Sequence, residues 1–340
     1  MLSRILIVGH TNIGDICYDL SVLPPLRTAF PQSRLSLLTS SAVTGLIEGH
    51  PELEQVLLFN RHAEHKGWWG RLKLIRMIRR QRFDGVIMLK TSWMHLFLGA
   101  RNRWVLKRRH LFDPSGRPLH RADSYLKLLR EHGVRADQPI FRFPIGEADR
   151  AFADEFLKRN RKRPGRPLVG ISPLANWALK CWSPRNWNRL IERMEKETGA
   201  EAIVFGKSSA DPFAQRVVRE LSPGILSAID RCTLKQAAAL IERCALFIAP
   251  DTGLLHLASC LKVPCVGLYG ATPVTHVIPY GQREGLVPST AQLTCMPCST
   301  NPKTFAICGA AGGEAPCMEA ISVERVLEKA KERLGTGGAA

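Results

Sequence analysis

Short, wholly apolar runs separated by stretches of helical periodicity recur along this chain, and the pattern runs through twice. In the first half Arg4-Ile-Leu-Ile-Val8, Arg34-Leu-Ser-Leu-Leu38, Gln55-Val-Leu-Leu-Phe59 and Asp84-Gly-Val-Ile-Met-Leu89 read as strands. Between them, Ile16 to Phe30 (interrupted at Pro24-Pro25) and Trp68 to Gln81 carry helical spacing. The second half restarts with Leu168-Val-Gly-Ile-Ser172, Ala202-Ile-Val-Phe205, Leu246-Phe-Ile-Ala249 and Pro264-Cys-Val-Gly-Leu-Tyr269, with helices over Pro184 to Glu197, Leu234 to Arg243 and Ser322 to Leu334. A strand apolar at successive positions must be covered on both faces, which is the condition of a parallel sheet sandwiched between helices. The fold class is therefore α/β, with two doubly wound, Rossmann-like parallel-sheet domains facing a cleft.

A length of 340 residues fits two domains. Composition turns charged between Pro144 and Pro167, including Lys158-Arg-Asn-Arg-Lys-Arg-Pro164. The boundary is placed there, giving domains 1–160 and 161–320, a closing helix 321–334 and a disordered tail 335–340. Hydrophobic residues at 45% and charged residues at 23% exclude a disordered or collagenous chain. The net charge of +18 favours anionic partners without choosing among them. The apolar run near the start is too short for a signal-peptide core, and no stretch approaches the ~20 apolar residues of a spanning helix. The expected location is cytoplasmic, with peripheral attachment to the inner face of a membrane as an option.

Ligands of such sheets bind beyond the carboxyl ends of the strands. Three loops there carry chemistry. In Ala249-Pro-Asp-Thr-Gly-Leu-Leu-His-Leu-Ala258, Asp251, Thr252 and Gly253 open a helix whose N–H groups suit a diphosphate, with His256 one turn in. In Ser172-Pro-Leu-Ala-Asn-Trp-Ala-Leu-Lys-Cys-Trp-Ser-Pro184, Lys180 is the sole base and is placed to neutralise a leaving phosphate. In Gly9-His-Thr-Asn-Ile-Gly-Asp15, Gly14 opens a helix and Asp15 offers a carboxylate to an attacking hydroxyl. Each has a plainer reading: an Asp cap with a core histidine, a solvated lysine, and an ordinary helix-start carboxylate.

Taken together, the Ile-Gly-Asp turn, the Lys-x-Trp-x-Pro segment and the Asp-Thr-Gly-x-x-His segment resemble the family 9 glycosyltransferases, the heptosyltransferases of lipopolysaccharide core synthesis. The resemblance spans nearly the whole chain. It implies the GT-B fold and an inverting, metal-independent transfer of heptose from an ADP-activated donor to a phosphorylated core acceptor. Carried over residue by residue, it implies Asp15 as base and Lys180 as the phosphate-binding lysine. It also implies Asp251, Thr252, Gly253 and His256 as the donor motif. Arg231-Cys-Thr-Leu234 matches the segment whose backbone receives adenine, which brings in Cys232. Asp211 is the candidate for the ribose, although the match around it is off by a residue. Gly14 and Asn176 complete the donor-binding candidates. Tyr269-Gly-Ala-Thr-Pro273 resembles the family's Gly-Pro-Thr turn, with Ala271 in place of proline. The chain contains no Asp-x-Asp pair, the usual glycosyltransferase grip on a divalent ion, so no catalytic metal or cofactor is expected.

Thr11 and Asn12, with Arg71, Arg76 and Arg79 of the basic helix Trp68 to Gln81, are the acceptor-binding candidates. That helix is expected to bury a stripe of Leu72, Ile75 and Ile78 or Arg79. Its basic face is either solvated or turned toward an anionic membrane, and Arg101, Arg103, Lys107, Arg108 and Arg109 add to the same charge. The set Cys295, Cys298, Cys308 and Cys317 begins with zinc-knuckle spacing and ends without it. Structural metal, free thiols and a redox-labile staple remain open there. Three rival readings stand beside the first. One is a family 9 transferase with another donor sugar or acceptor, and another is a sugar-nucleotide epimerase of similar architecture. The last is a polyanion-binding protein on the same scaffold. Against it, the basic residues are not interleaved with stacking aromatics, and no nucleic-acid partner is expected.

Overall fold

The computed structural model describes residues 2–60, 63–208, 211–274, 278–296, 298, 308 and 315–336. The chain divides after Pro144 into two units, each with its own parallel sheet. The first holds β1 (Arg4–Val8), β2 (Arg34–Thr39), β3 (Gln55–Leu58), β4 (Gly85–Met88) and β5 (Asn102–Val105), in the order β3-β2-β1-β4-β5. Ile5, Leu6, Ile7 and Val8 of the central strand are 0% exposed, as a strand covered on both faces requires. The helices are α1 (Ile13–Asp19), α2 (Leu23–Ala29), α3 (Ser41–Ile47), α4 (Gly67–Arg80) and α5 (Arg121–Glu131). The single helix expected over Ile16 to Phe30 is in fact α1 and α2, joined by one 3-10 turn at Leu20–Val22. Pro24 and Pro25 do not interrupt a helix. They occupy the first turn of α2, where a missing N–H leaves no bond unmade.

On one face of this sheet Leu74, Ile75 and Ile78 of α4 pack with Leu6, Val8, Leu38, Val86 and Met88, and Leu98 and Ala100 join them. The buried stripe of α4 thus runs through Leu74 rather than Leu72, which is only half-buried. Gly70 lets the first turn of α4 lie against the preceding loop, because a Cβ there would lie 2.5 Å from the His65 backbone.

The second unit holds β6 (Leu168–Ile171), β7 (Glu201–Val204), β8 (Leu226–Ser227), β9 (Leu246–Pro250), β10 (Cys265–Tyr269) and β11 (Leu286–Pro288), all parallel, in the order β11-β10-β9-β6-β7-β8. Its helices are α6 (Glu147–Asn160), α7 (Pro184–Thr198), α8 (Pro212–Glu220), α9 (Leu234–Ile241), α10 (Gly253–Cys260), α11 (Pro316–Glu319) and α12 (Val323–Thr336). Local signals account for their limits. Pro184 starts α7 and Gly199, at φ +70°, ends it. Thr233 and Gln236 exchange a capping box at the start of α9. On β6, Gly170 leaves room for the Phe247 ring, which a Cβ would meet at 2.5 Å.

The division falls before α6, not at residue 160. Arg150 on α6 is bonded to Glu242, and Asp154 to Arg243, so α6 packs with α9 in the second unit. The charged stretch that suggested a boundary is the end of this helix and the loop after it. Arg161 and Lys162 there bind the buried Glu201 carboxylate at the start of β7. Among the described residues no helix is long and apolar enough to cross a membrane. The tail proposed as disordered lies, from 337 on, outside the described residues.

Candidate functional site

In each sheet the strand order reverses direction at one place, between β1 and β4 in the first unit and between β6 and β9 in the second. Loops leaving neighbouring strands part there and open a crevice at the carboxyl edge. Of the residues singled out from sequence, Asp15 follows β1, Lys180 follows β6 and Asp251 follows β9, at these two places.

In the second unit, Lys180 follows β6 and Asp251 follows β9. Lys180 ends a 3-10 turn, Ala178–Lys180, and its Nζ lies 2.6 Å from Asp251 Oδ2. It also sits over the Trp177 ring, 4.9 Å from the centroid. The other carboxylate oxygen, Oδ1, is 3.0 Å from His256 Nε2. The Asp251 side chain is only 7% exposed and that of His256 4%. Burial alone would raise the Asp251 pKa; the His256 hydrogen bond and charge, with the Lys180 ammonium, outweigh it and hold the acid at about 2. Asp251 is not the helix cap. Thr252 is, its Oγ1 accepting from the Leu255 N–H at 3.3 Å, so Asp251 is released to hold Lys180 and His256 together.

The remaining donor-binding candidates surround this centre less tightly. Asn176 is exposed in the same loop as Lys180. Asp211 caps α8 by accepting from the Phe213 N–H at 2.9 Å, which leaves its second oxygen outside that bond. The Cys232 thiol donates to the Ala228 carbonyl, and burial pushes its pKa up to about 11. A residue that sequence reasoning missed is Asp230. At φ +54° it turns the chain after β8, and it accepts both the N–H and the hydroxyl of Ser208. The sequence offered only an Asp in a short loop, a residue type that tolerates that conformation better than most.

In the first unit Asp15 lies half-buried in the first turn of α1 and Gly14 is buried beside it. Asn12 precedes the helix and its side-chain amide points to Asp15 Oδ2 at 3.4 Å. Thr11 supplies its carbonyl to the Ser40 hydroxyl, 2.8 Å away. Sequence reasoning passed over the pair beneath them. Asp19 is buried, and its two oxygens take the His10 N–H at 2.6 Å and the His10 ring at 2.9 Å. Burial alone would lower the His10 pKa; the Asp19 charge and hydrogen bond, helped by Asp15, leave it raised. Gly9 is required here, because a Cβ would lie 2.6 Å from Asp19 Oδ2. Arg71, Arg76 and Arg79 stand apart on the exposed side of α4, away from this loop in sequence and element.

A sequence profile of glycosyltransferase family 9 (heptosyltransferase) matches residues 71–307. The chain belongs to glycosyltransferase family 9. As a member of that family it is a transferase, and its two parallel-sheet units are those of the GT-B class. This family 9 chain is 23% identical over 302 residues to the lipopolysaccharide core heptosyltransferase OpsX of Haemophilus influenzae, covering 83% of each. The crystal structure of a family 9 glycosyltransferase from Veillonella parvula superposes with a TM-score of 0.79 at 22% identity, covering 98% of both chains. The Escherichia coli ADP-heptose lipopolysaccharide heptosyltransferase II does so at 0.70 and 19%, covering 99% of this chain and 100% of that one.

Among the described residues no group of three or more His, Cys, Asp or Glu has metal-holding geometry. Cys295, Cys298, Cys308 and Cys317 are thiols gathered against the core of the second unit, and burial pushes Cys317 up to about 11. The glycine-rich loop 309–313 among them lies outside the described residues.

Proposed function

We propose that this chain moves a heptose from ADP-heptose to a phosphorylated sugar of a lipopolysaccharide core, with inversion and without a divalent ion. One observation supports this above the rest. Lys180, Asp251 and His256 form a single bonded group at the switch point of the second sheet, against the N-terminus of α10. The Lys180 ammonium, the His256 imidazole and the first N–H groups of α10 supply fixed positive ends toward which a departing diphosphate carries its charge. Asp251 is acceptor-only when ionised, so its part is to position Lys180 and His256, not to touch phosphate.

In this reading the second unit holds the donor and the first holds the acceptor. Asp15 takes the proton of the attacking hydroxyl as the new C–O bond forms at the anomeric carbon. The bond from that carbon to the diphosphate breaks, and ADP departs with the electron pair. Attack opposite the leaving group inverts the centre. Asn176 and Asp211 are assigned to the donor's sugar and ribose, and the backbone around Cys232 to its adenine. Thr11, Asn12, Arg71, Arg76 and Arg79 are assigned to the acceptor.

Calorimetry of ADP, UDP and GDP against wild type and Lys180→Ala, with EDTA throughout, tests the reading. ADP is expected to bind best and to weaken about 10- to 100-fold in the variant, the loss of one charge-assisted contact. A preference for UDP, or binding that EDTA abolishes, would remove the assignment.

A further inference from the structure

In the first sheet the order turns back between β1 and β4, and the loops leaving these two strands flank the crevice at its carboxyl edge. His10 stands on the β1 side and Lys90, two residues beyond β4, on the other. The loop carrying His10 is tied to the end of the neighbouring strand β2. The Thr39 hydroxyl donates to the His10 carbonyl and the Ser40 hydroxyl to that of Thr11. His10 is thus held by its backbone before its side chain is considered.

Asp19 fixes the ring. Its carboxylate is wholly buried and accepts from the His10 N–H, from the His10 ring at Nδ1 and from the Tyr125 hydroxyl. A buried carboxylate needs a charge to offset its lost hydration, and among the described residues His10 is the one cationic group bonded to it. The ring therefore keeps a proton on Nδ1 and turns Nε2 outward. Nε2 has no hydrogen-bond partner among the described residues, and the side chain keeps 19% of its surface exposed. Two more charges face the ring: Asp15 favours its protonated form and Lys90 opposes it. With Asp19 on α1 and Tyr125 on α5, these are the titratable groups around His10. The crevice thus presents an imidazolium, an ammonium and the Asp15 carboxylate.

We propose that His10 and Lys90 bind an anionic oxygen group, a carboxylate or a phosphate ester, carried by the same sugar whose hydroxyl Asp15 deprotonates. Naming that ligand the acceptor rests on the transferase reading; the anion site itself does not. An Nε2–H and an ammonium on the two sides of a crevice hold an oxyanion by charge-assisted bonds. Asp15, at the end of the His10 loop, repels the anion and is left with the neutral hydroxyl. A sugar without the anion offers His10 nothing, so the pair selects acceptors as well as orienting them. Asp19 and Tyr125 act through His10 and are positioning residues. The competing use of such a dyad is His10 as the base in place of Asp15, and pH separates the two. An imidazolium anchor loses acceptor affinity as pH rises through its raised value, whereas a base loses turnover as pH falls through it.

The test has two arms. In the first, NMR spectra of the full chain with isotope-labelled histidine are recorded in acetate, phosphate and chloride at equal ionic strength, with His10 assigned from His10→Asn. Acetate or phosphate is expected to move the Nε2 signal saturably in the millimolar range and chloride not to, and Lys90→Met to weaken the effect. Neither donor nor turnover enters this arm, so it fails or stands apart from the transferase reading. In the second, heptose transfer to a deacylated lipopolysaccharide core is followed before and after phosphatase treatment. His10→Asn keeps a donor for Asp19 and removes Nε2; Lys90→Met leaves the Asp19–His10 pair intact and serves if the first variant fails to fold. Each is expected to raise the acceptor KM about 10-fold or more, with kcat and ADP affinity nearly unchanged. A penalty that survives the phosphatase assigns a carboxylate, and one that vanishes assigns a phosphate. Wild-type KM is expected to climb as pH passes the His10 value. An Nε2 signal that neither anion moves, an acceptor KM unchanged in the variants, or a kcat that falls as pH drops through the His10 value would each overturn the proposal.

Discussion

At the scale of single residues, the two switch points hold opposite kinds of ion pair, and pH separates them. Asp251 is held at about 2 by His256 and Lys180, so the folded state resists protonation there. Its contribution is complete above the ordinary carboxylate range and is lost as pH falls toward 2, a loss of roughly 2 kcal/mol for a shift of nearly two units. His10 is the reverse: its folded pKa is raised, so the folded chain binds a proton that the unfolded chain releases. That contribution is complete below 6.5 and disappears as pH climbs through the raised value. Urea denaturation against pH is therefore expected to show a plateau between these limits, and Asp19→Asn is expected to flatten its alkaline side. Catalysis separates from both. Asp15→Asn is expected to lower kcat by about 100- to 10,000-fold with ADP affinity unchanged, as calorimetry and a transfer assay would show. The strand-end placement of Asp15, Lys180, Asp251 and His256 was legible because each falls just after an apolar run. His10 and Asp19 were not, because burial of a carboxylate under a glycine turn depends on packing that no local spacing carries.

At the scale of elements, legibility followed burial. Strands covered on both faces, such as β1 and β9, appear in the sequence as continuous apolar runs. β5 is an edge strand whose pattern is exposed, exposed, buried, half-buried, so Asn102-Arg103-Trp104-Val105 carries no continuous apolar run. β8 and β11, only two and three residues long at the far edges, carry too little periodicity to register. The start of α10 shows how one element serves fold and site together. Thr252 caps the helix, which frees the Asp251 carboxylate for Lys180 and His256. Thr252→Ala is expected to cost about 1 kcal/mol of stability in urea unfolding, and Thr252→Ser to restore most of it. If capping is its whole role, ADP affinity corrected for folding is unchanged in the Ala variant; a further loss assigns its hydroxyl to the diphosphate.

At the scale of the molecule, two doubly wound sheets followed from a pattern that repeats, but the point of division did not. Composition changes where a surface becomes charged, whereas a domain ends where contacts end, and α6 separates these criteria. Its Ala153, Phe156 and Leu157 are buried, and its Arg150 and Asp154 reach Glu242 and Arg243 in the second unit. A fragment of residues 145–340 therefore keeps its core closed, while one of residues 161–340 exposes the side of α9 that α6 covers. Loss of the Phe156 and Leu157 burial alone amounts to about 3–6 kcal/mol, a large share of the roughly 5–15 kcal/mol that holds an ordinary domain folded. The longer fragment is expected to unfold cooperatively and to retain ADP binding, since Lys180, Asp251 and His256 all lie within it. The shorter one is expected to expose apolar surface, bind a hydrophobic dye and lose ADP affinity. Equal stability of the two would mean that α6 is an appendage and that the charged segment after it marks the true division.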